Sequence, residues 1–232
     1  MDLTYFFRTV EDAAAPKIPI WFLAGLLLVL LLLAAYVKAP KLYAVIAIGL
    51  QITILCWYGL SHILIPDGLP LYHCRISLWV VSIGILFNIR SKFILWLSYL
   101  GIAMSLMVLL MRDMDPYSFP HITNFYYFLG HGAIFLISAS YIERYEEKLS
   151  VKQSLVYALL LHTAVLGIDI LLNSNYAYLR KLPIINSPTA DKFAFLIVTI
   201  VVVATVFLTQ KIVELKPIRN FLMSGRNAET AK

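Results

Sequence analysis

Charge is what this chain has least of. Asp, Glu, Lys and Arg together make 14% of its 232 residues, where an ordinary soluble domain carries about 25%. A chain so poor in charge is neither disordered nor a water-soluble globule. Cysteine is scarce as well. Cys56 and Cys74 both lie in apolar runs, which excludes a disulfide framework. The apolar runs lack the period-two alternation of an outer-membrane barrel. No low-complexity linker and no internal repeat interrupts them. The first run is longer than the ~7–15-residue core of a signal peptide. Acidic residues precede it and no clear cleavage site follows, so it reads as a true span.

What is present is apolar length. Residues of the apolar class make 61% of the chain, and about 20 of them in succession cross a bilayer core of roughly 30 Å. Seven runs meet that description: Ile20–Val37, Leu42–Ile65, Leu71–Ile89, Phe93–Met111, His121–Tyr141, Gln153–Leu172 and Phe193–Thr209. The expected fold is therefore all-α, a polytopic bundle of seven transmembrane helices. It divides into an interfacial segment 1–19, a membrane domain 20–209 and a basic tail 210–232. Tyr5-Phe6-Phe7 and the Trp residues near run ends suit interfacial anchoring.

The net charge of +6 reports orientation in such a protein, not nucleic-acid binding. One set of connections holds Lys38, Lys41, Arg90, Lys92, Arg144, Lys148, Lys152, Lys211, Lys216, Arg219, Arg226 and Lys232. The other holds Arg8, Lys17, Arg112, Arg180, Lys181 and Lys192. The positive-inside rule then puts the N-terminus outside and the C-terminus inside a cell membrane, with lipid as the solvent.

Within the seven runs only Arg75 and Asp169 carry a permanent charge. A lone charge at mid-bilayer costs at least ~2.5–3.5 kcal/mol, and the two lie at similar depth, so an Arg75–Asp169 pair is expected. The five histidines, His62, His73, His121, His131 and His162, all fall at the outer ends or near mid-depth. At 3.6 residues per turn they line up with other polar residues. Gln51, Tyr58 and His62 share one face, His121, Asn124 and His131 another, and His162, Asp169 and Asn173 a third. Polar groups in hydrocarbon must meet one another or line a watered space. The pattern predicts an outward-opening polar crevice.

The mouth of the third run reads Leu69-Pro70-Leu71-Tyr72-His73-Cys74-Arg75. A thiol beside imidazoles and a guanidinium is a candidate nucleophile, whereas Cys56 reads as packing. Leu69-Pro70 with Cys74, then Phe119-Pro120-His121, Gly130-His131-Gly132, and Asn175-Tyr176 with Tyr178-Leu179 and Pro183 resemble the signature of the YwaF-type bacterial membrane proteins. The eukaryotic relatives of that group include a transmembrane acyltransferase of ether-phospholipid remodelling. The resemblance implies a Cys74 nucleophile that accepts an acyl group, His131 as its base, and Asn175 and Tyr176 closing the outer mouth. Helix counting sets a condition on that dyad. His131 is ten residues into its run, roughly 15 Å deep, and Cys74 only about 5 Å deep. His121 is the substitute base if depth decides.

The expected function is thus cysteine-dependent transfer or hydrolysis of lipid acyl esters, with no cofactor and no metal. Membrane lipid is the expected substrate, and Arg75, Asn124, His162, Asp169, Asn175 and Tyr176 are expected around it. Two other classes share these residues. An intramembrane zinc hydrolase would use His62, His131, His162 and Asp169. A transporter or lipid-binding protein would use the same stripes as a solute path.

Overall fold

The computed structural model describes residues 2–12, 14–62, 68–112, 114–145, 147–183, 185 and 187–222. Among these there is no β-strand. Seven apolar helices form an up-and-down array: α2 (Ile20–Tyr36), α3 (Pro40–Leu60), α4 (His73–Leu86), α5 (Lys92–Met111), α6 (Ile122–Arg144), α7 (Val151–Leu172) and α9 (Ala194–Glu214). Short helices α1 (Leu3–Phe6), α8 (Pro188–Asp191) and α10 (Lys216–Leu222) and a 3-10 turn at Tyr176–Tyr178 complete the chain. Five of the seven, α3, α5, α6, α7 and α9, are long and apolar enough to cross a membrane. At 17 and 14 residues, α2 and α4 are shorter.

Local chemistry explains most boundaries. The Ser91 hydroxyl caps α5 by accepting from Phe93 N. Ser150 and Gln153 cap α7 reciprocally, which satisfies two N–H groups that a helix start leaves open. His121 caps α6 through its ring, and Pro40 stands at the first turn of α3, where it has no N–H to lose. Left-handed Arg112 and Asn173 end α5 and α7.

The third run is trimmed at both ends. Leu71–Ile89 was read as a span, but helix begins only at His73 and ends at Leu86. At the start, Arg75 Nη1 donates to Gly68 O at 2.8 Å, folding the preceding segment back over the helix. At the other end Asn88 adopts φ 54°, and Ile89 N returns to Gly84 O. The last residues of the second run, up to Ile65, lie outside the described residues. Within the segment read as a basic tail, α9 runs to Glu214 and α10 reaches Leu222. The remainder of that tail lies outside the described residues. The N-terminal segment does more than touch an interface: Phe6 packs with Ile54, Trp57 and Tyr58.

Helices α3 to α6 form the centre, with α5 and α6 in the closest association, and α7 and α9 pack on each other beside them. The core runs through Leu78, Val81, Trp96, Leu100, Ile134 and Ile137. Close approach of α5 to α6 depends on Gly101, where an added Cβ would overlap Ser138 Oγ and come within 3.3 Å of Ile134 Cγ2. Gly25 on α2 faces open space. Gly101→Val is therefore expected to destabilise the protein by about 1–3 kcal/mol through overpacking. Gly25→Ala should be neutral or slightly stabilising through helix propensity. Chemical denaturation in detergent micelles compares the two; equal effects would remove the close-packing assignment.

Candidate functional site

The polar residues do gather at one end of the bundle, but not around one hollow. They divide into four clusters, each with its own partners.

The first joins the N-terminal segment to the α5–α6 loop. Arg8 Nη2 bonds Asp12 Oδ2 at 2.7 Å and Ser118 O at 2.8 Å. Ser118 N donates to Asp12 Oδ2. His121 belongs to this clasp. Its Nε2 donates to Arg8 O at 2.9 Å, and its Nδ1 receives Thr123 N. The ring stacks on Tyr117 at 3.9 Å and meets Trp57 edge-on. Both nitrogens of the substitute base are thus engaged in holding the loop. Asn124 adds to the same framework, since its Nδ2 donates to Tyr117 O.

The second cluster lies at the end of α7. Asp169 Oδ1 accepts from Ser174 Oγ and Tyr176 N, both at 2.7 Å. Arg180 Nη1 reaches Asp169 O and Ser174 O. The expected Arg75–Asp169 pair does not form: Oδ1 organises the turn that follows α7, and Oδ2 is buried with no hydrogen-bond partner among the described residues. Asn175 organises the next residues, accepting from Arg180 N and Lys181 N and donating to Lys181 O. Tyr176 is fully buried, its ring edge-on to Tyr72 and its hydroxyl against Leu69 N. Asn175 and Tyr176 tie this loop to the segment before α4.

The third cluster bridges α4, α7 and α9. His73 Nε2 and His162 Nε2 are 2.8 Å apart, and His162 Nδ1 lies 2.8 Å from Thr199 Oγ1. Thr199 itself donates to Phe195 O at 2.7 Å. A hydroxyl that has given its proton to a carbonyl can only accept. His162 must then carry its proton on Nδ1, and His73 must donate from Nε2. The helix spacing noted for His162 and Asp169 did not reveal this partner on α9.

The fourth cluster contains the thiol. Arg75 Nη2 donates to Tyr58 OH at 2.8 Å, and its guanidinium lies over the Tyr58 ring at 4.9 Å, the Tyr72 ring at 5.7 Å and the Tyr126 ring at 5.9 Å. Among the described residues no carboxylate pairs with it; aromatic faces and two oxygens stabilise the charge instead. Tyr126 OH donates to Gln51 Oε1 at 2.5 Å. Cys74 is partly buried. His131 Nδ1 donates to Tyr127 O at 2.6 Å. The carbonyl fixes that tautomer, so Nε2 carries the lone pair.

Helix α4 has six residues fewer than its neighbour α5, about 9 Å at 1.5 Å per residue. Tyr58, Tyr126 and Gln51 are the members that sequence reading did not assign. Gln51 and Tyr58 were visible as a stripe on one helix, but Tyr126 carries no signal beyond its place one turn before Gly130. There the glycine leaves room for the Tyr126 ring, at 3.2 Å from an added Cβ.

A model of the TMEM164 family matches residues 11–210. The chain belongs to the TMEM164 family. That match covers all seven apolar helices except the last residues of α9, and all four polar clusters apart from Arg8. No curated protein and no solved structure matches the chain.

Membership of this family names no chemistry, so the site geometry has to discriminate. The zinc alternative fails on it. His62 is exposed at the end of α3, His162 is bound to His73 and Asp169 to its own loop. Among the described residues no group of three or more His, Cys, Asp or Glu could hold a metal ion. At the opposite end of the bundle, Lys38, Lys41, Ser140, Glu143 and Arg144 line an open cleft of about 540 Å³, crossed by the Lys38–Glu143 ion pair at 3.0 Å. It is remote from the thiol.

Two outcomes test these assignments. Thr199→Val leaves the buried His162 Nδ1–H unpaired and is expected to cost about 1–3 kcal/mol, whereas Thr199→Ser keeps the acceptor and most of the stability; equilibrium unfolding in micelles separates them. The second concerns Asp12, whose carboxyl is held down to about 2 by the Ser118 N–H and the Arg8 guanidinium. A depressed folded value gives stability that is full above the ordinary 3.8 and is lost as pH falls towards 2. The wild-type advantage over Asp12→Asn should therefore be constant from pH 7 to about pH 5 and vanish near pH 2, read by thermal unfolding.

Proposed function

We propose that the chain is a seven-span membrane enzyme, N-terminus outside, in which Cys74 and His131 transfer or hydrolyse lipid acyl groups. The observation that carries this reading is the His131 tautomer: Nδ1 donates to Tyr127 O, which leaves a lone pair on Nε2, while Cys74 adjoins the Arg75 guanidinium held among tyrosines. The other imidazoles near the thiol are committed elsewhere, His121 to the N-terminal clasp and His73 to His162. His131 keeps a lone pair on Nε2. The YwaF-type resemblance supports the same pair. The orientation rests on Lys38, Lys41, Arg90, Lys92 and Arg144, which lie at the end of the bundle opposite Cys74.

In the proposed step His131 Nε2 takes the thiol proton as Cys74 Sγ attacks the ester carbonyl. The tetrahedral intermediate collapses, the carbon–oxygen bond to the leaving alcohol breaks, and the alkoxide takes the proton from His131. The products are a Cys74 thioester and the free alcohol. A second alcohol, or water, reverses the sequence and releases the acyl group. Arg75 stabilises the thiolate and the developing negative charge by position alone. A substrate with two acyl chains fits a centre that lies between lipid and the outer surface.

The test uses the purified full chain with p-nitrophenyl octanoate as acyl donor. Wild type is expected to release p-nitrophenol and to carry an octanoyl adduct that peptide mapping places on Cys74, not on the lipid-facing Cys56. Cys74→Ala should lose both signals. His131→Gln should slow adduct formation by about 10²–10⁴-fold. Unchanged adduct formation in folded Cys74→Ala would end this reading.

A further inference from the structure

The end of the bundle opposite the thiol holds more positive charge than its acids neutralise. The start of α3 and the last turn of α6 enclose a cleft of about 540 Å³, lined by Lys38, Lys41, Ser140, Glu143 and Arg144, a size that suits a small ligand or a lipid headgroup. The Glu143 carboxylate is already engaged. Its Oε2 lies 3.0 Å from Lys38 Nζ, and the lysine also donates to Ala34 O at 2.9 Å. Both side chains are largely withdrawn from solvent, so the pair forms a neutral wall. Lys41 and Arg144 remain as a surplus of two positive charges. Neither has an acidic partner among the described residues. Arg144 is positioned by a neutral group instead: its Nη2 donates to Asn88 Oδ1 at 3.0 Å, at the left-handed residue just after α4. An amide oxygen orients a guanidinium without cancelling its charge and leaves its other N–H bonds for an anion. The Ala39 N-cap offers no side chain to the first turn of α3, so the helix start adds to the positive potential.

An apolar track leads away from these cations. Leu42 lines the cleft and is exposed. Val45 and Ile46, one turn further along α3, are exposed as well, and an added Cβ on Gly49 would meet nothing within 4 Å. Residues three and four apart share a helix face, so the track runs from the cleft into a helix long and apolar enough to cross a membrane. We infer that the cleft is a binding site for an anionic phospholipid, with Lys41 and Arg144 holding its phosphodiester and one acyl chain lying along Leu42, Val45, Ile46 and Gly49. Basic pockets between helices at a membrane surface take such headgroups. A soluble phosphate would satisfy the cations and leave the track uncovered, which is the argument for a lipid. No bond is made or broken in this binding, and the site stands apart from the Cys74 centre and does not depend on it.

Native mass spectrometry of the purified full chain tests it, in micelles doped with phosphatidylglycerol or with phosphatidylcholine of the same acyl chains. Wild type is expected to retain phosphatidylglycerol about tenfold more tightly than phosphatidylcholine. Lys41→Gln and Arg144→Gln should each weaken that retention by about fivefold, and the double variant by about thirtyfold; each single variant carries the test should the pair fold poorly. Lys216→Gln, on α10 and outside the cleft, should stay within about twofold of wild type. Equal retention of the two lipids overturns the inference, and so does phosphatidylglycerol binding that survives the double variant. A loss in Lys216→Gln as large as in Lys41→Gln also overturns it, because it marks surface charge in general. Glycerophosphoglycerol, the same headgroup without acyl chains, is expected to displace the lipid only at about 100-fold or greater excess, since it buries no apolar surface. Displacement at equal concentration overturns the lipid assignment in favour of a soluble phosphodiester.

Discussion

A guanidinium held among tyrosines, with no carboxylate among the described residues beside it, governs the end of this bundle at which α4 begins. Arg75 cannot shed its charge and cannot reach water from inside a helix bundle without help, so the surroundings adapt to it. Tyr58 supplies an oxygen from α3, Gly68 a carbonyl from the preceding segment, and three aromatic rings a negative face. Meeting those needs has architectural consequences. The segment before α4 folds back, α4 starts late, and α3, α4 and α6 are drawn to one point. A neutral residue at 75 would remove the reason for each of these.

The same constraint explains why the other polar residues are dispersed. In lipid each buried donor and acceptor has to find a partner within the protein, and here the solutions are local. Asp169 closes the turn after α7; His121 fastens the N-terminal segment; His73 and His162 tie α4 to the peripheral pair α7 and α9. The peripheral pair presents much of its surface to lipid, with Leu160, Leu171, Ile200 and Leu208 more than half exposed. The imidazole–imidazole bond from His73 to His162 in the middle of α7, and Trp96 Nε1 to Ser154 Oγ near its start, are therefore important in keeping α7 in place.

Sequence alone gave the number and order of apolar helices well, because apolar length and interrupting charges are one-dimensional signals. Each of the seven runs overlaps a described apolar helix, with ends that differ by up to five residues where they can be compared. The ends are set by contacts that composition does not encode, such as the hydrogen bond from Arg75 to Gly68 O. Partner choice was legible only along a helix. The Gln51–Tyr58 stripe was visible, while His162–Thr199, His73–His162 and Arg75–Tyr126 cross between helices and need their relative rotation. The pairing of Arg75 with Asp169 was a sound economy of charge, yet it ignored what backbone amides at a helix end can offer a carboxylate. Two N–H or O–H donors at 2.7 Å serve Asp169 without any cation side chain.

The Gly130 gap leaves room for the Tyr126 ring, whose hydroxyl donates to the Gln51 amide. The chain departs from regular helix packing three times here, by an early stop, a fold-back and a missing side chain. The early stop is compensated by Ile89 N returning to Gly84 O, the fold-back by Arg75 donating to Gly68 O, and the missing side chain by the Tyr126 ring. A bundle selected for stability alone would have kept α4 at full length and filled positions 51, 75 and 130 with apolar side chains.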